Sequence, residues 1–360
     1  MPHSDKGITP RTIALVCEPY MLNDALFDTD APWNHYGSCD CWIAARPVLE
    51  SLGWQIHTED VFRSRGEIPE ITILPGIART PLRYQLGAWH GRTRPMVFLW
   101  EGPIISSQNW DMKKHRDYEA LFTWSPELVD NQRYFGICGV PRKFDPNFTI
   151  NRDLSKKTGL VTMIAGHKKR GSPQELYSAR LDAIEWYETH QPQAFDLYGE
   201  GWNEPAIRGV GKLRRLGLMK IVTRLMPPPP RPSYRGSVPK KKPVLERYRF
   251  AISYENARDV PGYITEKIFD PFLASCVPIY WGAPDITDYV PKDCFIDFRD
   301  YMDHAKLYER LSTMTDSEYL GYLDRIEKFI RSQVDGPFGL TQFTATLIEA
   351  ISRDPDAQSP

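Results

Sequence analysis

The chain has 360 residues, 41% of them apolar and 12% aromatic, with a formal net charge of −1. Domains run to about 100–200 residues, so this length and apolar content fit two domains, each with a sizeable core. The near-zero charge argues against a nucleic-acid binder, which carries a basic excess, and no apolar run approaches the ~20 residues that span a membrane.

In chain order, "TIALVC" (Thr12–Cys17) reads as a first strand, and the N-terminus lacks the shape of a secretory signal. A cytoplasmic protein is therefore expected, with Cys17, Cys39, Cys41, Cys138, Cys276 and Cys294 as reduced thiols. Cys39 and Cys41 are one residue apart, too close for the usual zinc-site spacing. Asp28-Thr29-Asp30 has the look of a metal-binding pair but reads better as a polar loop, so no metal site is expected. His35, in "WNHYGSCDCW", is a lone histidine and reads as a loop or core residue, while the two tryptophans of that stretch suit stacking on a sugar.

Further β-rich runs begin at Ile71 ("ITILPG"), Met96 ("MVFLWEG"), Leu160 ("LVTMIAG"), Arg249 ("RFAISYEN") and Val277 ("VPIYWGA"). Glu175–His190 has helical spacing, with Leu176, Ala179, Ala183, Ile184 and Tyr187 on one face. Strands alternating with helices predict parallel sheets covered on both faces. A polar, turn-rich break at Val140–Gly159 suggests two α/β domains with a cleft between them: 1–150, 151–340, then a C-terminal helix and tail over 341–360. "YGEGW" (Tyr198–Trp202) lacks the third glycine of a dinucleotide fingerprint and reads as a tight turn after a strand. Residues 212–225 interleave Lys212, Arg214, Arg215, Lys220 and Arg224 with apolar residues. That pattern fits either a solvated surface segment or an amphipathic helix lying on an anionic membrane.

Ligands of open α/β sheets bind beyond the carboxyl ends of strands. "RFAISYEN" is such a strand end, and "YITEK" then opens a helix whose N-terminus favours anions. Thr265 suits an N-cap, Glu266 the hydroxyls of a ribose and Lys267 a phosphate. Each has an ordinary capping or surface role taken singly. Together at one strand end they read as a nucleotide-diphosphate site.

The stretch "YENARDVPGYITEKIFDPFLASCVPIYWGAPDITDYVP" (Tyr254–Pro291) closely resembles the signature of the α-1,3/α-1,4-fucosyltransferases of glycosyltransferase family 10, and looser counterparts extend upstream to about Met96. Ala257, Gly262 and Ser275 depart from the common residues, and Pro271 is expected to kink the helix or shift its start. The resemblance implies a GT-B fold, two Rossmann-like domains facing across a cleft, with GDP-fucose held mainly by the second. It implies inversion of GDP-β-L-fucose to an α-fucoside, without a required cofactor or metal. Glu101, in Glu101-Gly102-Pro103 at the end of its strand, matches the family's Glu-x-Pro base; by the residues alone it is an exposed strand-end acid. Arg180 matches the arginine on the donor diphosphate; by the residues alone it is a helix-surface arginine paired with Glu175 or Asp182. Glu255 and Asn256 are expected to line the donor pocket, and Tyr263 to pack on the nucleotide or to serve as a half-buried core aromatic. The partners implied are a GDP-sugar and a GlcNAc- or Glc-containing glycan, such as a lipopolysaccharide precursor, with no nucleic acid. The alternatives are another nucleotide sugar on the same fold, or a nucleotide-sugar-binding protein without catalysis.

Overall fold

The computed structural model describes residues 11–31, 33–34, 37–169, 171–204, 217, 221–222, 225 and 228–353. It divides into two compact units. One runs to Pro146 and resumes at Ser332; the other is Asn147–Arg331.

The first unit is built on a six-stranded sheet in the order β2-β1-β3-β4-β5-β6. The strands are β1 (Arg11–Leu15), β2 (Trp54–Thr58), β3 (Ile71–Leu74), β4 (Arg94–Phe98), β5 (Ala120–Thr123) and β6 (Tyr134–Gly136), all parallel. Interior strands of a parallel sheet are covered on both faces and read as continuous apolar runs rather than alternating ones. Accordingly β3 (ITIL) and β5 (ALFT) are buried at every position, whereas the edge strand β2 (WQIHT) exposes Gln55. The sequence reading found β1, β3 and β4 but not β2, β5 or β6, whose runs are short or interrupted by polar residues.

The last helix of the chain, Leu340–Ser352, belongs to this first unit and does not stand apart as a tail. It packs on the helix Asp40–Ser51 and places Phe343, Leu347, Ala350 and Ile351 in the same core as Ile13, Met96 and Phe98. Its free C-terminal carbonyls find a partner in Arg94, which donates to the carbonyls of Ile351 (3.4 Å) and Arg353 (2.9 Å) while pairing with Glu119 (2.6 Å).

The second unit holds a five-stranded sheet, order β11-β10-β9-β7-β8, also wholly parallel. Its strands are β7 (Gly159–Ile164), β8 (Phe195–Tyr198), β9 (Tyr248–Tyr254), β10 (Val277–Trp281) and β11 (Ile296–Asp297). The central strand β9 is flanked by β7 and β10, so the residues that follow Tyr254 emerge at the middle of the carboxyl edge. The expected helix over 175–190 forms as Tyr177–His190. The helix after "YIT" runs Glu266–Leu273, keeps its expected start and passes through Pro271. The proline removes the N–H that would bond the Lys267 carbonyl, and the helix stops two residues later.

All six cysteines are free thiols. Among the described residues, no helix is long and apolar enough to cross a membrane, and no three His, Cys, Asp or Glu side chains are grouped to hold a metal.

Candidate functional site

Beyond β9 the chain turns sharply, and Glu255 is drawn inward. It is fully buried, and its carboxylate accepts from the Thr265 amide (2.8 Å) and the Thr265 hydroxyl (2.7 Å), with the Lys267 ammonium 3.3 Å away. Its stem lies against Gly282: a Cβ there would come within 2.5 Å of Glu255 Cγ. Glu255 therefore anchors the start of the 266–273 helix from inside instead of lining an open pocket. Thr265 occupies the N-cap position as expected, but its hydroxyl donates to Glu255 and makes no capping bond. Burial raises its pKa, while the Lys267 ammonium and the two bonds from Thr265 work the other way and favour the carboxylate.

Lys267 is held as tightly. Its ammonium also donates to Thr265 Oγ1 (3.0 Å) and Glu266 Oε1 (3.4 Å). Burial works against its charge, but Glu266 and Glu255 outweigh burial and hold its pKa above that of an ordinary lysine. Glu266 lies 3.7 Å from Lys241, which in turn pairs with Asp270 at 2.7 Å. The segment "YITEK" thus opens a network of alternating charge rather than a single mobile cation.

Arg180 differs most from the residue-level expectation. It sits on the core face of its helix, 6% exposed, and pairs with neither Glu175 nor Asp182 through its Nη2. That nitrogen donates to the carbonyls of Tyr254 (2.6 Å) and Glu255 (2.7 Å) and to Asn256 Oδ1 (3.1 Å). The helix is brought there by a short antiparallel bridge between Glu175 and Ala257, with the Leu176 amide bonded to the Asn256 carbonyl at 3.1 Å. Glu175 turns to its own helix start, accepting from the amides of Tyr177 (2.6 Å) and Ser178 (3.0 Å). Asn256 donates to the hydroxyl of the buried Tyr263 at 3.2 Å.

Arg180 also lines a cavity of about 280 Å³, with Gly166, His167, Lys168, Lys169 and Trp202 among its walls. His167 stacks on Trp202, with ring centres 4.5 Å apart and planes 12° from parallel. Trp202 Nε1 donates to the Ala165 carbonyl at 2.7 Å. Gly199 passes the same carbonyl so closely, at φ +128°, that a Cβ would lie 2.0 Å from it. The "YGEGW" turn therefore builds a wall of this cavity and is more than a connection. The turn-rich "GHKKRGSPQ" after β7 reads from the sequence as a possible loop near phosphate, but neither His167 nor Trp202 is singled out there as a site residue.

The structure brings Arg180, Glu255, Asn256, Tyr263, Thr265, Glu266 and Lys267 together in the second unit. Glu101 lies in the first unit and is exposed. β4 ends at Phe98, so Glu101 stands three residues past the strand rather than at its end. Its carbonyl accepts from Trp110 Nε1 (3.0 Å) and Asn109 Nδ2 (3.3 Å), which fixes the backbone ahead of Pro103. His35 and all of 212–225 except 217, 221–222 and 225 lie outside the described residues.

Residues 228–336 match the family model described as glycosyltransferase family 10 (fucosyltransferase), C-terminal. An alpha-(1,3)-fucosyltransferase, FucT, of Helicobacter pylori is 30% identical over 101 residues, 28% of this chain and 20% of the relative. The GDP-fucose protein O-fucosyltransferase 3 of Gallus gallus is 32% identical over 84 residues, 22% of this chain and 18% of the relative. The matched stretch thus spans about a fifth of the length of these relatives. Two crystal structures of an alpha1,3-fucosyltransferase, the second with GDP-fucose, align over 98% of this chain and 92% and 94% of theirs. Their TM-scores are 0.56 and 0.53, each at 14% identity, so the two parallel-sheet units share the GT-B-like fold of these neighbours.

Proposed function

We propose that this protein is an inverting glycosyltransferase that moves L-fucose from GDP-β-L-fucose to a hydroxyl of a GlcNAc- or Glc-containing glycan, in α-1,3 or α-1,4 linkage. The observation that carries this reading is the family match over 228–336. It contains Glu255 to Lys267, which close around Arg180 from a helix that begins about fifty residues before the matched segment. The relatives act on fucose, and one solved neighbour holds GDP-fucose.

In this reading the second unit holds the nucleotide, with Glu266 facing the ribose and cationic side chains, rather than a metal, facing the diphosphate. The acceptor oxygen bonds to the anomeric carbon as the bond from that carbon to the β-phosphate oxygen breaks. The bonding pair leaves with GDP, and the acceptor proton passes to the carboxylate of Glu101. Fixed positive groups near the departing diphosphate lower the barrier because they interact most strongly with the charge that develops there.

A second reading concerns the acceptor. The similarity to a protein O-fucosyltransferase supports a protein hydroxyl as the alternative acceptor. One experiment separates these: incubate the protein with a panel of nucleotide sugars and with glycan and folded-protein acceptors, and read transfer by mass. Fucose added to a glycan supports the first reading, and fucose added to protein supports the second. GDP-fucose binding without GDP release or transfer would leave a binding protein and end both. The reading also places the acceptor in lipopolysaccharide or another surface glycan, with residues 212–225 on an anionic membrane; flotation with acidic liposomes tests that contact.

A further inference from the structure

Glu101 heads a loop in the first unit that is apolar for an exposed connection. From Glu101 the chain runs through Pro103, Ile104 and Ile105 to Trp110 and Met112. Ile104, Ile105 and Trp110 are half-buried, and Met112 is 50% exposed. Single exposed apolar residues are ordinary, but several on one loop mark a surface that binds something.

The loop is firmly held, and Trp110 is part of what holds it. Its Nε1 donates to the Glu101 carbonyl at 3.0 Å, and Trp124 Nε1 donates to the Trp100 carbonyl at 3.0 Å. Two indoles thus fix successive peptide groups at the acid. Asn109, 2% exposed, donates to the same Glu101 carbonyl at 3.3 Å and accepts from the Ile77 amide at 2.8 Å. Its own carbonyl lies 2.9 Å from His115 Nε2. Burial of Asn109 sets the position of its neighbour Trp110. Trp124 packs against the Trp110 ring, with centres 5.0 Å apart, while Trp100 turns inward to stack on Phe98 at 4.8 Å. Trp110 is left as a preset aromatic surface beside the acid, its N–H already bonded and its ring partly exposed.

Such a ring suits a pyranose. The C–H bonds on the face of a sugar ring meet the negative face of the indole, and a fixed tryptophan offers that contact at little entropic cost. The position also agrees. A general base must come within hydrogen-bond reach of the hydroxyl it deprotonates. A sugar hydroxyl at the Glu101 carboxylate therefore brings its ring carbons close to the side chain bonded to the Glu101 carbonyl.

We propose that Trp110 is the acceptor platform: the pyranose that carries the attacking hydroxyl seats its C–H face on the indole while that hydroxyl meets Glu101. This inference rests on the reading of Glu101 as the base. It adds the class of acceptor, a sugar ring rather than a serine or threonine, whose small side chain has no such face.

The test is fucose transfer from GDP-fucose to N-acetyllactosamine by the parent, Trp110→Leu and Trp110→Phe, with donor and acceptor varied separately and thermal melting alongside. Trp110→Leu keeps apolar bulk against Trp124 but has no ring. It raises the acceptor KM by about tenfold or more and leaves the GDP-fucose KM within about twofold. Trp110→Phe also loses the bond to the Glu101 carbonyl but keeps a ring, and holds the acceptor KM within about threefold of the parent. An acceptor KM unchanged in Trp110→Leu overturns the platform. So does an equal loss of kcat in both variants, the result expected if Trp110 only fixes the Glu101 backbone. A parent that fucosylates protein but not N-acetyllactosamine overturns the platform and leaves a fucosyltransferase. Transfer to neither overturns the fucosyltransferase reading, and the platform with it.

Discussion

Lys267 and Glu255 cannot be changed independently, because one is the counter-charge of the other in a site where Glu255 has no access to water. Lys267→Met is expected to lower the unfolding free energy by about 2–4 kcal/mol, since removing one partner of a buried pair strands the other charge. The double variant Glu255→Gln, Lys267→Met should recover part of that loss, as no buried charge is then left unpaired. Urea unfolding of both measures this; a double variant no more stable than Lys267→Met would sink it. Loss of nucleotide binding in Lys267→Ala therefore needs a stability control before it is read as loss of a phosphate contact. Asp297 supplies a pH-dependent case. Burial alone would raise its pKa, but bonds from Arg299 (2.7 Å) and Lys292 (3.0 Å) prevail and hold it below the usual carboxylate range. A carboxylate with a depressed folded pKa stabilises the fold above its unfolded value, about 3.9, and loses that contribution as pH falls through the folded value. Asp297→Asn should thus cost about 1–3 kcal/mol at pH 7. The gap to the parent should narrow below about pH 4. Urea midpoints at pH 7 and pH 3 test it, and a gap independent of pH would remove the ion pair as its source.

Short elements carry more of the site than their length suggests. The turn after β8 has glycine at 199 for a steric reason: a positive φ and a carbonyl 2.0 Å from any Cβ. Gly199→Ala must push back the Ala165 carbonyl, which also accepts the Trp202 indole. The expected cost is above about 2 kcal/mol, with Trp202 moved and the cavity reshaped. Chemical denaturation with tryptophan fluorescence follows both effects, and an unchanged midpoint would show that the turn yields easily. The helix Tyr177–His190 and the 256–258 loop form a second such pairing. Their bridge at Glu175 and Ala257 seats Arg180, and neither segment shows the need for the other in its own residues.

For the whole molecule, the two units divide the work proposed for them: the expected base, Glu101, stands in the first, and the residues expected to face the nucleotide stand in the second. Glu101→Gln keeps the size of the side chain and removes its capacity to take a proton. GDP-fucose affinity should stay near the parent's while turnover falls by about 10²–10⁴, the usual share of a general base. The acidic limb of the pH–rate profile should vanish with it. Kinetics with donor and acceptor varied separately decide the matter; near-normal turnover would move the base elsewhere, and weaker donor affinity would make Glu101 a binding group.

Much of this was legible without coordinates because its causes are local. Apolar runs of four to seven residues alternating with helical spacing predict parallel sheets wherever they occur. Glu255, Asn256, Thr265, Glu266 and Lys267 are close in sequence, on one strand end and the helix that follows it, so their meeting required no long-range pairing. The tertiary structure alone decided the rest. Arg180 reads as a surface residue until bonds spanning 74 to 76 positions draw it beneath the β9 carboxyl end. Glu255 reads as a pocket acid until the amide and hydroxyl of Thr265 and the ammonium of Lys267 bury it. The final helix reads as a separate C-terminal helix and tail until Phe343 and Leu347 fill the core of the first unit. In each case the deciding energy is burial and the satisfaction of polar groups by partners far along the chain, which no local pattern of residues records.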